Sequence, residues 1–146
     1  MSSKMSHFGP REEYPKLIHF IRAAQDDLKQ QDFESSLEGI FWHTGENDTC
    51  FEPYSQNNAK WMKQLIDQTR ADLQQPDLAW FISEQHKHAP WRNIDPVNAA
   101  LNEMARTDPR ITIIKTSELP HSRLHFGTKG TLLRGEEMAD AYLRKR

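Results

Sequence analysis

Histidine is the side chain whose unperturbed pKa lies near neutrality, so the seven histidines in 146 residues are the first groups that could do chemistry. Five of them fall in three stretches. His43 opens His43-Thr44-Gly45-Glu46-Asn47-Asp48, His86 and His88 end Ser83-Glu84-Gln85-His86-Lys87-His88, and His121 and His125 follow Thr116-Ser117-Glu118. Imidazole beside carboxylate suits acid–base catalysis or a nitrogen–oxygen metal site. His86 and His88 could bind a metal with Glu46, Asp48 or His121, but H-x-H aims both rings to one side only in a strand. In a loop the pair reads as two solvated residues, and neither a metal nor a cofactor is expected. Glu46 and Asp48 stand two residues apart in one loop, which does not suit carboxylates that must flank a substrate. For nucleophilic hydrolysis, His125 is the best base, standing where the last strand gives way to the last helix. The nucleophile is not visible. A serine should sit on a glycine-flanked turn such as G-x-S-x-G, whereas Ser35 and Ser36 precede a strand, Ser83 ends one, and Ser2, Ser3 and Ser6 lie near the start. Cys50 has no framing motif and reads as a small buried residue.

The elements that must position these groups are legible from periodicity. Leu17, Ile18, Ile21, Ala24 and Leu28 share a helical face over residues 14–30; Met62, Leu65, Ile66, Thr69 and Leu73 do so over 57–75. Asp95-Pro96 is a helix-start signal, with Val97, Ala100, Leu101 and Met104 as its stripe. A last helix over 129–144 points Leu132, Leu133, Met138 and Tyr142 inward. Between the helices lie short apolar runs at 37–42, 78–82 and 111–114, which read as strands covered on both faces. Strands separated by helices predict an α/β fold with a short parallel sheet and helices packed on it. Ligands in such sheets bind beyond the strands' carboxyl ends, where the three histidine-bearing stretches emerge. The expected organisation is a disordered start over 1–13 and a single α/β domain over 14–146.

Composition narrows the partners. Nineteen basic against 21 acidic residues give a formal charge of -2 and no electrostatic case for nucleic acid. No apolar run approaches the roughly 18 residues of a membrane span, and residues 1–11 lack the apolar stretch of a signal peptide. One cysteine forms no internal disulfide. As written the chain reads as cytoplasmic; a missing front would instead allow a secreted or periplasmic protein.

Two blocks carry a family resemblance. Gly39-Ile40-Phe41-Trp42-His43-Thr44-Gly45-Glu46-Asn47-Asp48 resembles the G-x-x-W-H-Q-G-E-x-D block of the sialate O-acetylesterase-like carbohydrate esterases, within the SGNH hydrolases. Ser122-Arg123-Leu124-His125-Phe126-Gly127-Thr128-Lys129-Gly130, followed by Gly135 and Met138-Ala139, is similar to the family's closing D-x-x-H-F/L…G…G…A pattern. The resemblance implies a three-layer α/β/α flavodoxin-like fold and removal of O-acetyl groups from sugars by a serine–histidine mechanism. His125 then matches the catalytic base. Thr44, Gly45, Glu46 and Asp48 match the loop beside the oxyanion, with Thr44 where the family has glutamine. Ser122 stands where the family has the aspartate that orients the histidine, and Glu118 is the nearest carboxylate in sequence that could substitute. Trp91, beside Pro90 on a site-edge loop, is the candidate for stacking on a sugar ring; Trp42 reads as core or pocket wall and Trp80 as core.

The family's strand with its G-x-S turn has no counterpart in this sequence. In a 2-1-3-4-5 order, losing the first two strands leaves three contiguous ones, with Leu37–Trp42 as a bare edge. The chain is therefore expected to be a C-terminal piece of a longer esterase, a degenerate paralogue, or a protein completed by another chain or a second copy of itself at that strand. Its partner is an acetylated carbohydrate if it is active. The alternative is an inactive remnant that binds a glycan or a partner subunit.

Overall fold

The computed structural model describes residues 13–43, 45–86, 92–116, 118–122 and 125–145. The expected disordered start lies outside these residues except for Glu13, which opens helix α1 (Glu13–Gln30). There follow β1 (Gly39–Trp42), a 3-10 turn (Glu46–Thr49), α2 (Glu52–Asp72), β2 (Ala79–Ser83), α3 (Ile94–Thr107), β3 (Ile111–Ile114), β4 (His121–Ser122), β5 (His125–Phe126) and α4 (Thr128–Lys145).

The three longer strands are parallel in the order β1-β2-β3, with Gly39 opposite Ala79 and Trp80 opposite Ile111. Alternation along the strands separates two apolar faces. On one, Trp80, Ile82 and Ile111 pack against Met62, Leu65 and Ile66 of α2 and Val97, Leu101 and Met104 of α3. On the other, Phe81 and Ile114 meet Met138, Ala141 and Tyr142 of α4. The result is the expected three-layer arrangement with a short parallel sheet. β2 is its centre, and burial continues past it from Trp80 to His86. β1 is less covered: Phe41 stacks on Phe81 at 4.9 Å yet remains 48% exposed.

Several expectations are corrected. The first strand begins at Gly39, leaving Leu37 and Glu38 outside it. α2 starts at Glu52, with proline in its first turn, and ends by Asp72 rather than 75. There Gln75 N–H reaches Arg70 O and Gln74 adopts φ 56°, a Schellman termination without the usual glycine. Asp95 does not cap α3; Asn93 occupies the cap position, which leaves Pro96 within the first turn, where helix N–H groups lack intrahelical partners anyway. In α1 only Ile18 is buried, while Ala24 and Leu28 are exposed. Leu132 of α4 faces solvent; Gly130 and Ala141 are its buried residues. Gly130 is needed for close approach, since a Cβ there would sit 1.8 Å from Pro120 O. The β4–β5 hairpin was not anticipated.

Candidate active site at the carboxyl end of the sheet

Beyond β1 the chain must turn sharply to reach α2. Gly45 makes that turn with φ 120°, a region L side chains avoid, and a Cβ there would lie 3.2 Å from Gln85 Nε2. The following 3-10 turn is anchored on both sides. Thr49 Oγ1 donates to Glu46 O (2.6 Å), Asn58 Nδ2 donates to Asp48 Oδ2 (2.8 Å), and Asn93 donates to Thr49 O through its backbone N–H and its Nδ2. Asp48 thus ties the turn to α2. Glu46, in the same turn, points at histidines.

Beyond β2 the backbone stays extended because a side chain imitates a neighbouring strand. Asn98 Oδ1 accepts from Gln85 N–H and its Nδ2 donates to Gln85 O, both at 2.8 Å. Glu84 is buried and receives Lys115 Nζ (2.5 Å) and Asn102 Nδ2 (3.2 Å), while Thr116 Oγ1 donates to its carbonyl (2.7 Å). This amide-rich scaffold holds His86 fully buried, which corrects its reading as a solvated loop residue. None of Asn58, Asn98 or Asn102 had a sequence signal beyond its position on the helical faces of α2 and α3.

The β4–β5 hairpin brings the remaining histidines to the same edge. Antiparallel pairing sets Ser122 opposite His125 and His121 opposite Phe126, so an S-x-x-H spacing becomes a cross-strand pair. Phe126 is the hub: its ring centroid lies 4.6 Å from that of His86 and 5.6 Å from that of His43, with Arg134 of α4 5.2 Å above it. His121 lies 4.9 Å from His86, ring to ring. Four of the five clustered histidines therefore converge; His88 lies outside the described residues, as do Thr44 and Trp91. Trp42 is half-buried against the fully buried Trp80, at 5.9 Å.

Glu46 is the carboxylate of this cluster. Its Oε1 is 3.8 Å from His43 Nε2 and 3.8 Å from His125 Nδ1. Glu46 and His43 are 20% exposed at the side chain and His125 is 76% exposed. Burial pushes the His43 imidazolium down to a pKa of about 4; Arg134 adds to this and Glu46 opposes it. At neutral pH His43 is therefore uncharged and forms no ion pair with Glu46. Nδ1 of His43 is buried with no hydrogen-bond partner among the described residues, which favours the tautomer with its proton on Nε2, toward Glu46. Glu118 is exposed, and among the described residues His125 forms no ion pair with it and no hydrogen bond with a serine hydroxyl, although Ser122 stands opposite on the neighbouring strand.

Among the described residues, no group of three or more His, Cys, Asp and Glu could hold a metal ion, and no helix is long and apolar enough to cross a membrane. No curated protein matches the chain. A solved structure of an Arabidopsis thaliana protein is similar in fold, with a TM-score of 0.76 at 21% identity over 90% of this chain; the chain spans 52% of that structure's length. The profile of the family described as "Carbohydrate esterase, sialic acid-specific acetylesterase" matches residues 2–144. With the two sequence blocks now on one sheet edge and the match extending over nearly the whole sequence, the chain belongs to this family of carbohydrate esterases.

Proposed function

We propose that the chain supplies the histidine–carboxylate half of a serine-dependent esterase that removes O-acetyl groups from sugars. The observation that carries this is the orientation of His125: Nδ1 faces the Glu46 carboxylate, which leaves Nε2 for a nucleophile. In this reading Nε2 takes the serine proton as the hydroxyl attacks the acetyl carbonyl and returns it to the departing sugar oxygen, then takes a proton from the water that attacks the acetyl-serine and returns it to the serine as acetate leaves; Glu46 stabilises the transient imidazolium. A separation of 3.8 Å exceeds a hydrogen bond, and such contacts commonly tighten only with substrate bound. Glu46 takes the orienting role that Ser122 cannot fill by charge and that Glu118 is not placed to fill. Gly45 fixes where Glu46 starts, and Thr44 is the proposed oxyanion-side donor. The serine comes from a segment or chain, including a second copy of this one, that pairs with the free side of β1.

A second reading, a carbohydrate-binding protein without turnover, is favoured by the absence of a serine hydroxyl hydrogen-bonded to His125 among the described residues. Hydrolysis of 4-nitrophenyl acetate separates the two. Activity that falls at least ~100-fold in His125→Ala, the lower end of general-base contributions, supports the esterase. A smaller but clear fall in Glu46→Gln supports its orienting role. A rate equal to that of buffer, unchanged in both variants, leaves the binding reading.

A further inference from the structure

Where the 3-10 turn leads into α2, two large aromatic side chains face solvent. Phe51 and Tyr54 are 60% and 49% exposed, their ring centroids are 5.7 Å apart, and their planes meet at 68°. Tyr54 in turn lies 6.0 Å from Trp61, two helical turns on. Fold stability does not explain the exposure. Phe51 occupies the α2 cap position, where a serine or aspartate could close an orphan N–H, and it makes no side-chain capping bond. Tyr54 stands one position before the buried Ser55 and four before the buried Asn58, on the margin of the covered face. The corner follows the candidate site in sequence: Phe51 is five residues after Glu46, and the intervening turn is held against α2 and α3 by Asp48–Asn58 and Thr49–Asn93.

Two aromatic faces set at an angle suit a ligand that is apolar on its ring faces and polar around its rim. Pyranose sugars have this form, with axial C–H groups on the face and hydroxyls at the edge. We propose that the Phe51–Tyr54 corner is a sugar subsite that stacks one pyranose ring of the carbohydrate beside the Glu46–His125 pair. The inference rests on the esterase reading for the choice of ligand but not for its test, which needs no turnover. The corner lies on a helix N-terminus at the strands' carboxyl end, where α/β sheets bind ligands. It also places the sugar contact on a different element from Trp91.

The test is saturation-transfer NMR and titration of the full chain with N-acetylneuraminic acid and with xylohexaose. Binding of either sugar is expected in the millimolar range, with saturation transferred to ring C–H protons. Phe51→Ser removes one ring while adding a capping hydroxyl, so the helix is retained, and it should weaken binding about 3–10-fold. Tyr54→Ala should do the same, whereas Tyr54→Phe, which keeps the stacking face, should bind as the wild type does. Phe41→Ala, at the exposed β1 edge, is expected to have no effect. Unchanged affinity in the Phe51→Ser/Tyr54→Ala double variant would overturn the proposal, as would no binding of either sugar by the wild type. A dimer in sedimentation that the same double variant dissolves would assign the corner to self-association instead, and would also overturn it. Loss of ester hydrolysis with sugar binding intact would defeat the esterase reading alone.

Discussion

The two ends of the parallel sheet use charge in opposite ways. At the amino end the charged groups answer one another, although the Trp80 indole N–H and the Thr112 hydroxyl near the start of the strands have no hydrogen-bond partner among the described residues. Arg70, buried at the end of α2, donates Nε and Nη2 to Leu78 O and Nη1 to Asp108 Oδ2 (2.5 Å); Arg110 donates its backbone N–H and Nε to Asp108 Oδ1, and its Nη1 to Asp77 and Pro76 O. At the carboxyl end, buried His43 Nδ1, Asn58 Oδ1 and Ser83 Oγ have no hydrogen-bond partner among the described residues, and one carboxylate sits between two histidines at ion-pair distance. Saturated networks hold a fold together, whereas buried polar groups without partners are tolerated where a ligand is to meet them. The contrast sets a network of paired charges at one end against the proposed site at the other.

The largest way to break that division is Arg70→Ala. It leaves Leu78 O and Asp108 without their buried partner and should lower unfolding free energy by about 3 kcal/mol in a urea titration. His125→Ala, at the exposed tip of the other end, should leave the midpoint unchanged. Comparable losses in the two variants would erase the distinction.

Acid should act on the ends in sequence. His43 has a folded pKa of about 4, below its unfolded value near 6.5, so the unfolded chain binds more protons in between. Its contribution is complete above pH 6.5 and lost as pH falls toward 4, by about 2 kcal/mol after discounting for partial solvent access. For Asp108, burial alone would raise the pKa, but hydrogen bonds from Arg70 and Arg110 outweigh it and bring the pKa down to about 2. Its contribution holds above about pH 4 and disappears toward pH 2, with a smaller amplitude of about 1 kcal/mol. His43→Gln should flatten the upper window only, and Asp108→Asn the lower one only. Stability measured by urea at pH 7, 5, 4 and 2.5 would show whether the two windows separate.

Asn98 sharpens the comparison from within the site end, because its role there is structural. Asn98→Ala removes both bonds to the Gln85 backbone and should cost about 1.5 kcal/mol. Amide exchange at Gln85 should quicken while exchange at Trp80, deep in β2, stays slow. Equal acceleration at both would mean that the site end and the sheet open together.

How much of this was readable in the sequence follows the same division. Periodicity located the three sheet strands and four helices to within a few residues, because apolar stripes such as Met62, Leu65, Ile66 and Thr69 record which face is covered. Asp95-Pro96 misled by two positions because proline is tolerated throughout a helix's first turn. Two-residue strands such as His121–Ser122 contain no periodicity at all, so the hairpin that carries His125 was invisible. Gly45, Glu46 and His125 were named from motif, but motif could not say that Glu46 lies nearer His125 than Glu118 does. That contact depends on a left-handed turn and a hairpin meeting across about 80 residues of chain, roughly the span over which only tertiary packing decides. His86 was misjudged for the same reason: what covers it is Phe126, from the far end of the sequence.

The smallest test concerns the backbone and runs in opposite directions at the two ends. Gly45 and Gln74 both have positive φ, 120° and 56°. At the site end the conformation needs glycine, so Gly45→Ala should cost about 1 kcal/mol and displace Glu46, lowering ester hydrolysis or sugar binding beyond what the stability loss explains. At the amino end the Schellman turn of α2 accepts a glutamine in the left-handed region at a standing cost. Gln74→Gly relieves that cost but enlarges the freedom of the unfolded chain, so the net gain should be about 0.5 kcal/mol, or roughly 1–2 °C in Tm. Function should not change, because Gln74 lies at the opposite end of the sheet from Glu46. If Gln74→Gly altered activity or sugar binding, the ends would be coupled through α2. The contrast between them would then describe two views of one device.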